Sequence, residues 1–251
     1  MQRPDRAAEN KNSNWGFLCY RQATPKGVRP TLLAKDVRLS QGPLTMKSLY
    51  YRIKYGRPVV LVSGLPRSGT SMLMQMLERG GMPVVTDKLR TPDEDNPRGY
   101  LELERVKELD KSTDKSWLKE YRGQVIKLIS FLIQDLPLDL NYQVLFMRRN
   151  LDEVLRSQNK MLERKGTTGM AISDDKMRQN YELHLQKVYY RLSHIPNFRA
   201  LYLDYAAVVE DPRREARRIT EFLGRNLDVE AMAGAVESNL YRNRQPAAAH
   251  A

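Results

Sequence analysis

Pro58-Val-Val-Leu-Val-Ser-Gly-Leu-Pro-Arg-Ser-Gly-Thr-Ser71, running on into Met72-Leu-Met-Gln-Met-Leu-Glu78, is the stretch that decides the fold. The β-branched apolar run from Val59 to Val62 stops at Ser63-Gly64, and a helical apolar period begins near Gly69. That pattern predicts a buried strand, a glycine-containing loop and a helix N-terminus. A loop of this kind is an anion cradle, because unpaired backbone N–H groups and the positive end of the helix dipole converge in it. Gly64 and Gly69 have the separation of the nucleotide-binding P-loop, in which the second glycine is followed by Lys and then Ser or Thr. Here Thr70 stands in the lysine position, and the cation lies inside the loop at Arg67. The substitution predicts a loop that grips a phosphate without splitting a nucleoside triphosphate.

Working outward, 251 residues of ordinary hydrophobic content allow one substantial α/β core. No apolar run reaches the length of a transmembrane helix, and the N-terminus lacks the apolar core of a secretory signal. The single cysteine, Cys19, permits no intrachain disulfide and fits a reducing, cytoplasmic setting. The net charge of +12 is unevenly spread: residues 1–57 hold 12 Lys/Arg against 3 Asp/Glu, and the remainder holds 30 against 27. The basicity therefore belongs to the leader and not to a nucleic-acid-binding stripe on the folded body, and a solvated tail is the expected reading. Three segments follow: a basic, irregular extension over 1–57, an α/β domain over 58–243 and a tail over 244–251.

Along the chain, residues 49–55 read as a short helix and 82–86 as a second strand. Residues 87–101 form a long loop of the kind that carries function, followed by a charged helix over 102–109. Further strands are expected at 125–129, 143–147 and 199–205. Helices follow Asn150, with Glu153 in the reciprocal capping position, and Ser173, Asp211-Pro212 and Asp228. The helix after Asn150 is expected to end at Lys165-Gly166. Strands alternating with helices predict a P-loop-like three-layer fold, a central parallel sheet flanked by helices.

Two further segments carry chemistry. Met147-Arg-Arg-Asn-Leu-Asp-Glu-Val-Leu-Arg-Ser157 places Arg149 where a strand gives way to a helix, at the carboxyl edge of the sheet, where such sheets bind ligands. Strand alternation lets only one of Arg148 and Arg149 face that ligand, and Ser157 lies two helical turns on, within reach of the same anion. Leu201-Tyr-Leu-Asp-Tyr205 sets an aromatic at another strand end, suited to stacking on a purine or simply to packing.

Taken together, residues 56–243 resemble the sulfotransferase superfamily, whose donor is 3′-phosphoadenosine 5′-phosphosulfate (PAPS), and the bacterial members above all. The resemblance implies that Pro66-Arg67-Ser68-Gly69-Thr70-Ser71 binds the 5′-phosphosulfate. It also implies that Arg149 and Ser157, eight residues apart, hold the 3′-phosphate and that an aromatic near Tyr205 contacts adenine. Asp211-Pro212 with Phe222-Leu-Gly224 recurs in the family, and Asp95 to Glu102 is similar to a segment of some bacterial members. Departures are Arg67 where cytosolic members have Lys, and the absence of their Arg-Lys-Gly closing element and catalytic histidine motif. Tyr241-Arg242-Asn-Arg244 is a candidate for that element's place, without matching its pattern.

The implied reaction is metal-independent, in-line transfer of a sulfuryl group from PAPS to a hydroxyl or amine acceptor, with Arg67 and the loop amides stabilising the leaving oxygen. No His/Cys cluster suggests a metal site. Of the three histidines, His184 lies on the apolar stripe of a long helix, His194 closes that helix and His250 is in the tail, so a carboxylate is the expected base. Asp93, Glu94, Asp95, Glu102 and Glu104 are available; Glu102 is the first choice and Glu104 the reserve. Its competing role is a helix-start carboxylate facing the dipole. A P-loop kinase phosphorylating a small molecule is the alternative reading, disfavoured by Thr70. A non-enzymatic nucleotide- or nucleic-acid-binding module is the third, and the charge distribution weakens it.

Overall fold

In the computed structural model, which describes residues 46–87, 101–164 and 173–236, the opening run forms strand β1 (Val59–Gly64), every residue of it buried. β2 (Val125–Lys127), β3 (Tyr142–Arg148) and β4 (Phe198–Asp204) complete a parallel sheet in the order β2-β1-β3-β4. A parallel sheet covered on both faces needs near-continuous apolar strands, and β1 and β3 are of that kind. The chain leaves β1 toward β2 and β3 toward β4, so the two central strands diverge in their connections. Between the carboxyl ends of β1 and β3 lies the topological switch point, where such sheets open a crevice.

Helix α1 (Met46–Tyr55) precedes β1, and α2 (Thr70–Arg79) follows the loop. α3 (Leu151–Arg164) and the long α4 (Asp174–His194) separate β3 from β4. α5 (Tyr205–Glu210), α6 (Pro212–Leu223) and α7 (Val229–Ala233) close the described chain. Alternate residues of the strands, Val60 and Val62, Leu145 and Met147, Leu201 and Leu203, join Leu73 and Leu77 of α2 and Ile219 and Phe222 of α6 in one core. On the opposite face Phe146 and Tyr202 meet Tyr189 of α4 edge-on, at ring separations of 5.5 and 5.4 Å. The period of two along each strand thus supplies both layers.

Caps follow local chemistry. Asn150 Oδ1 accepts from the Asp152 N–H at 2.8 Å, Asp211 from Arg214 at 3.0 Å and Asp228 from Ala231 at 2.9 Å. Ser173 sits at the start of α4 without a side-chain cap. Three expectations change. The second strand over 82–86 shrinks to one parallel bridge, Val84 to Val125, because β2 itself is three residues long and offers it little to pair with. The charged helix over 102–109 is a 3₁₀ turn, Glu104–Glu108. Tyr205 starts α5 instead of ending β4. The leader 1–45, Asp93, Glu94, Asp95, the cap at Lys165-Gly166, Arg242, Arg244 and His250 lie outside the described residues.

His184 takes the packing role expected of it. Its Nε2 is 2.8 Å from Ser130 Oγ, its ring stacks on Phe131 at 3.8 Å, and burial lowers its pKa to about 4. A buried neutral histidine gains a proton on unfolding below the ordinary imidazole value of 6.5, so its contribution to stability is complete above that pH and is lost as pH falls toward 4. Between pH 7 and 5 the protein should lose about 2 kcal/mol through this residue. Urea denaturation of the protein and of His184→Gln at both pH values checks it; identical pH slopes would contradict a buried neutral imidazole.

Candidate active site

The loop between β1 and α2 is shaped by close approaches that exclude side chains. A Cβ on Gly64 would stand 2.5 Å from Ser68 Oγ and 2.6 Å from the Met147 carbonyl oxygen. A Cβ on Gly69, whose φ is 103°, would meet Tyr205 Cδ2 at 2.4 Å. Arg67 is left-handed as well, with φ 66°, which costs a non-glycine residue free energy and turns its side chain across the crevice. Gly69 is the N-cap of α2 and provides no side-chain cap, so the first N–H groups of α2, at Thr70 and Ser71, lie at a helix end without an intrahelical partner. Ser68 is 1% exposed, and its Oγ has no hydrogen-bond partner among the described residues. A buried hydroxyl left unsatisfied in a glycine-shaped cradle fits an anionic ligand.

Arg67 Nε donates to Ser157 Oγ at 3.1 Å, across the switch point from the loop to α3. Arg149 Nη1 donates to the Arg67 carbonyl at 3.2 Å, and its Nε to Glu153 Oε2 at 2.9 Å. Its guanidinium lies 4.3 Å from the centre of the Tyr205 ring. Glu153 is therefore drawn to Arg149 instead of the reciprocal capping position its sequence spacing suggested. Arg148 turns the other way and pairs with Asp204 through two hydrogen bonds of 2.9 and 2.8 Å. Strand alternation separates the two arginines, as expected, and Arg149 is the one at the crevice. Tyr205 is buried, with Gly69 and the Arg149 guanidinium against its ring.

The acidic side of the site comes from the 101–104 segment. Glu102 Oε1 lies 3.1 Å from Lys127 Nζ, and Oε2 lies 3.8 Å from Lys107 Nζ. Lys127 Nζ also donates to Ser71 Oγ at 2.9 Å, so the first-choice carboxylate is one lysine away from the anion loop. Glu104 pairs with Lys107, while its N–H donates to Asp87 Oδ2 at 2.6 Å. Asp87 in turn donates its N–H to the Glu102 carbonyl at 3.3 Å.

Lys127 is the residue that the sequence reading missed. It is 9% exposed at the carboxyl end of β2. A single lysine inside the apolar run Val125-Ile-Lys-Leu-Ile was the available signal, because lysine is almost never buried without a partner. Its partners, Ser71 and Glu102, are 56 and 25 residues distant, and nothing local points to them. Among the described residues no group of three His, Cys, Asp or Glu side chains is placed to hold a metal. No helix among them is long and apolar enough to cross a membrane.

A parallel sheet with a glycine-shaped loop and a guanidinium–hydroxyl pair at its switch point defines the class of protein as α/β, with its candidate site at the carboxyl edge of the sheet. The chain belongs to the sulfotransferase family: the family model described as "Sulfotransferase domain" matches residues 57–245. It is accordingly a transferase that moves a sulfuryl group from a donor to a hydroxyl-bearing acceptor. Similar solved structures include the sulfotransferase domain from the Synechococcus PCC 7002 olefin synthase (15% identity, TM-score 0.46, covering 74% of this chain and 79% of that one). The sulfotransferase domain from the curacin biosynthetic pathway is similar at 13% identity and TM-score 0.46, covering 76% and 92%. A sulfotransferase from Alicyclobacillus acidocaldarius is similar at 15% identity and TM-score 0.44, covering 69% and 85%. Among curated proteins no sequence match was found.

The Arg149–Glu153 pair is almost wholly shielded, at 8% and 4% side-chain exposure. Arg149→Ala should therefore destabilise the protein by about 3–5 kcal/mol, since it removes the guanidinium from a buried carboxylate. Adding Glu153→Gln should restore much of that loss. Urea denaturation of the single and double variants measures both effects, and equal stability of the two would show that the ion pair carries little.

Proposed function

We propose that the donor is PAPS and that residues 58–243 carry the reaction, with 1–57 a basic extension and 244–251 a tail. One observation carries the reading. The Arg67 to Ser157 hydrogen bond of 3.1 Å brings the phosphate loop and the second anion position to a single crevice. A nucleotide with phosphates on both its 5′ and 3′ oxygens matches two adjoining anion sites; a nucleoside triphosphate, with its charge in one chain, does not.

In this reading Arg67, Ser68, Gly69, Thr70 and Ser71 hold the 5′-phosphosulfate through backbone N–H groups, hydroxyls and one guanidinium. Arg149 and Ser157 hold the 3′-phosphate. Tyr205 acts through Gly69 and Arg149 and is a positioning residue. PAPS supplies a sulfuryl group on a phosphate leaving group. Glu102 accepts the proton of the acceptor hydroxyl as its oxygen bonds to sulfur and the bond from sulfur to the bridging phosphate oxygen breaks. Arg67, Lys127 and the loop amides face the negative charge that grows on that oxygen. Lys127, bonded to both Ser71 and Glu102, ties the charge-stabilising side of the site to the proton-accepting side.

Calorimetry with 3′,5′-adenosine bisphosphate against ATP and Mg²⁺ tests the donor. Metal-independent binding of the bisphosphate, weakened by Ser157→Ala and strongly by Arg149→Lys, is expected; preference for ATP with Mg²⁺ would sink the reading. Glu102→Gln should keep bisphosphate affinity while turnover falls by about 10²–10⁴-fold. Lys127→Met should lower turnover by about 10²–10³-fold. Undiminished turnover in Glu102→Gln would move the base elsewhere, with Glu104 the next candidate.

A further inference from the structure

At the pole of the sheet opposite the crevice, α1 presents an apolar stripe to solvent. Met46, Leu49, Tyr50 and Ile53 are spaced as one helical face and are 85%, 46%, 56% and 78% exposed. At 100° per residue Arg52 and Lys54 border that stripe on its two sides. The Lys54 ammonium lies 5.9 Å from the Tyr50 ring centre and 5.0 Å from that of Tyr55. The inward side of the helix carries Tyr51 and Tyr55, stacked at 5.7 Å.

Basic residues continue from the Arg52 border. Arg122 crosses Gly56, at the end of α1, so closely that a Cβ there would stand 3.2 Å from its Nε. Arg57 crosses Gly123 in the same way, at 3.1 Å from its Cζ. Arg225, after α6, is half-buried beside them; burial and the charges of Arg57 and Arg52 lower its pKa. Its Nη1 donates to Met82 Sδ at 3.4 Å. Among the described residues none of Arg52, Arg57, Arg122 and Arg225 is in an ion pair, and Arg122 Nε is buried with no hydrogen-bond partner. Four guanidiniums gathered at one pole with no described counter-charge repel one another, and an anionic surface would relieve that repulsion.

We propose that α1 and this arginine cluster form a docking surface for an anionic membrane: the stripe enters the acyl boundary while Arg52, Lys54, Arg57, Arg122 and Arg225 meet headgroup phosphates. A basic amphipathic helix with interfacial tyrosines is suited to lie in the plane of a bilayer surface. The charge of residues 1–57, 12 Lys/Arg against 3 Asp/Glu, adds attraction to an anionic surface. A second copy of the chain is a poor occupant, since a two-fold pairing would press like charges together. The stripe also argues against a purely ionic partner, which would leave four large apolar side chains in water. The sheet separates this surface from the crevice, so a docked protein keeps its crevice turned away from the bilayer.

Co-sedimentation of the full chain with phosphatidylcholine vesicles, with and without 30% phosphatidylserine, provides the test. Binding at least about tenfold stronger to the serine-containing vesicles is expected, falling steeply with salt. The variant Met46→Gln/Leu49→Gln/Ile53→Gln should lose about tenfold or more in vesicle binding with an unchanged thermal midpoint, because all three side chains are exposed. The variant Arg122→Gln/Arg225→Gln should lose a comparable amount; if it fails to fold, the apolar variant alone decides. No binding by the unaltered protein overturns the proposal. Retention of binding by the apolar variant also overturns it, and assigns the attraction to the leader or to an arginine site for a free polyanion or an acidic protein.

Discussion

At Gly64 and Gly69 the backbone runs closer to its neighbours than any side chain permits: a Cβ at either position would stand 2.4 to 2.6 Å from Tyr205, Met147 or Ser68. Every other feature of the crevice depends on that approach. Arg67 is forced into a left-handed conformation, so its carbonyl faces Arg149 and its guanidinium reaches Ser157. Ser68 is driven inward until its hydroxyl has no partner among the described residues. Tyr205, pressed against Gly69, offers its face to the Arg149 guanidinium. A single backbone constraint thus brings four separate sequence elements to one surface of the crevice.

Charge is placed in layers around that surface. Arg149 is neutralised by Glu153 and Lys127 by Glu102, each pair nearly closed to solvent. Pairing of this sort is expected wherever cations must be held under a sheet edge, because an unpaired buried charge costs several kcal/mol. The same pairing orients the side chains: Arg149 is held from three directions, by Glu153, by the Arg67 carbonyl and by the Tyr205 ring. At the opposite pole the arrangement is the reverse, with guanidiniums gathered and no described carboxylate among them. Among the described residues, the contrast separates a site whose buried cations are paired from a surface whose guanidiniums are not.

Much of the fold was legible residue by residue. β1, β3 and β4 were apolar runs of strand length, and Asn150, Asp211 and Asp228 marked their helices by side-chain chemistry that acts over two or three residues. The strand expected at 82–86 was read from equally good local residues, yet only Val84 bridges, since a strand exists through its neighbour and β2 ends at Lys127. Glu153 illustrates the same limit: its spacing suited a capping box, but a guanidinium one turn away is the stronger partner for a buried carboxylate.

The sequence by itself determined that the chain carries a strand, a glycine-bounded loop with its cation inside, and a helix, an Arg and a Ser two turns apart on another element, and a family resemblance covering both. Those are properties of spacing within about ten residues, where backbone geometry dictates what can meet. Only the tertiary structure decided that Lys127 stands between Ser71 and Glu102, that Tyr205 packs under the loop, and that Arg122 and Arg225 join Arg57 beside α1. Their partners are separated by tens of residues of chain, and sheet order, which no local pattern encodes, is what sets them side by side.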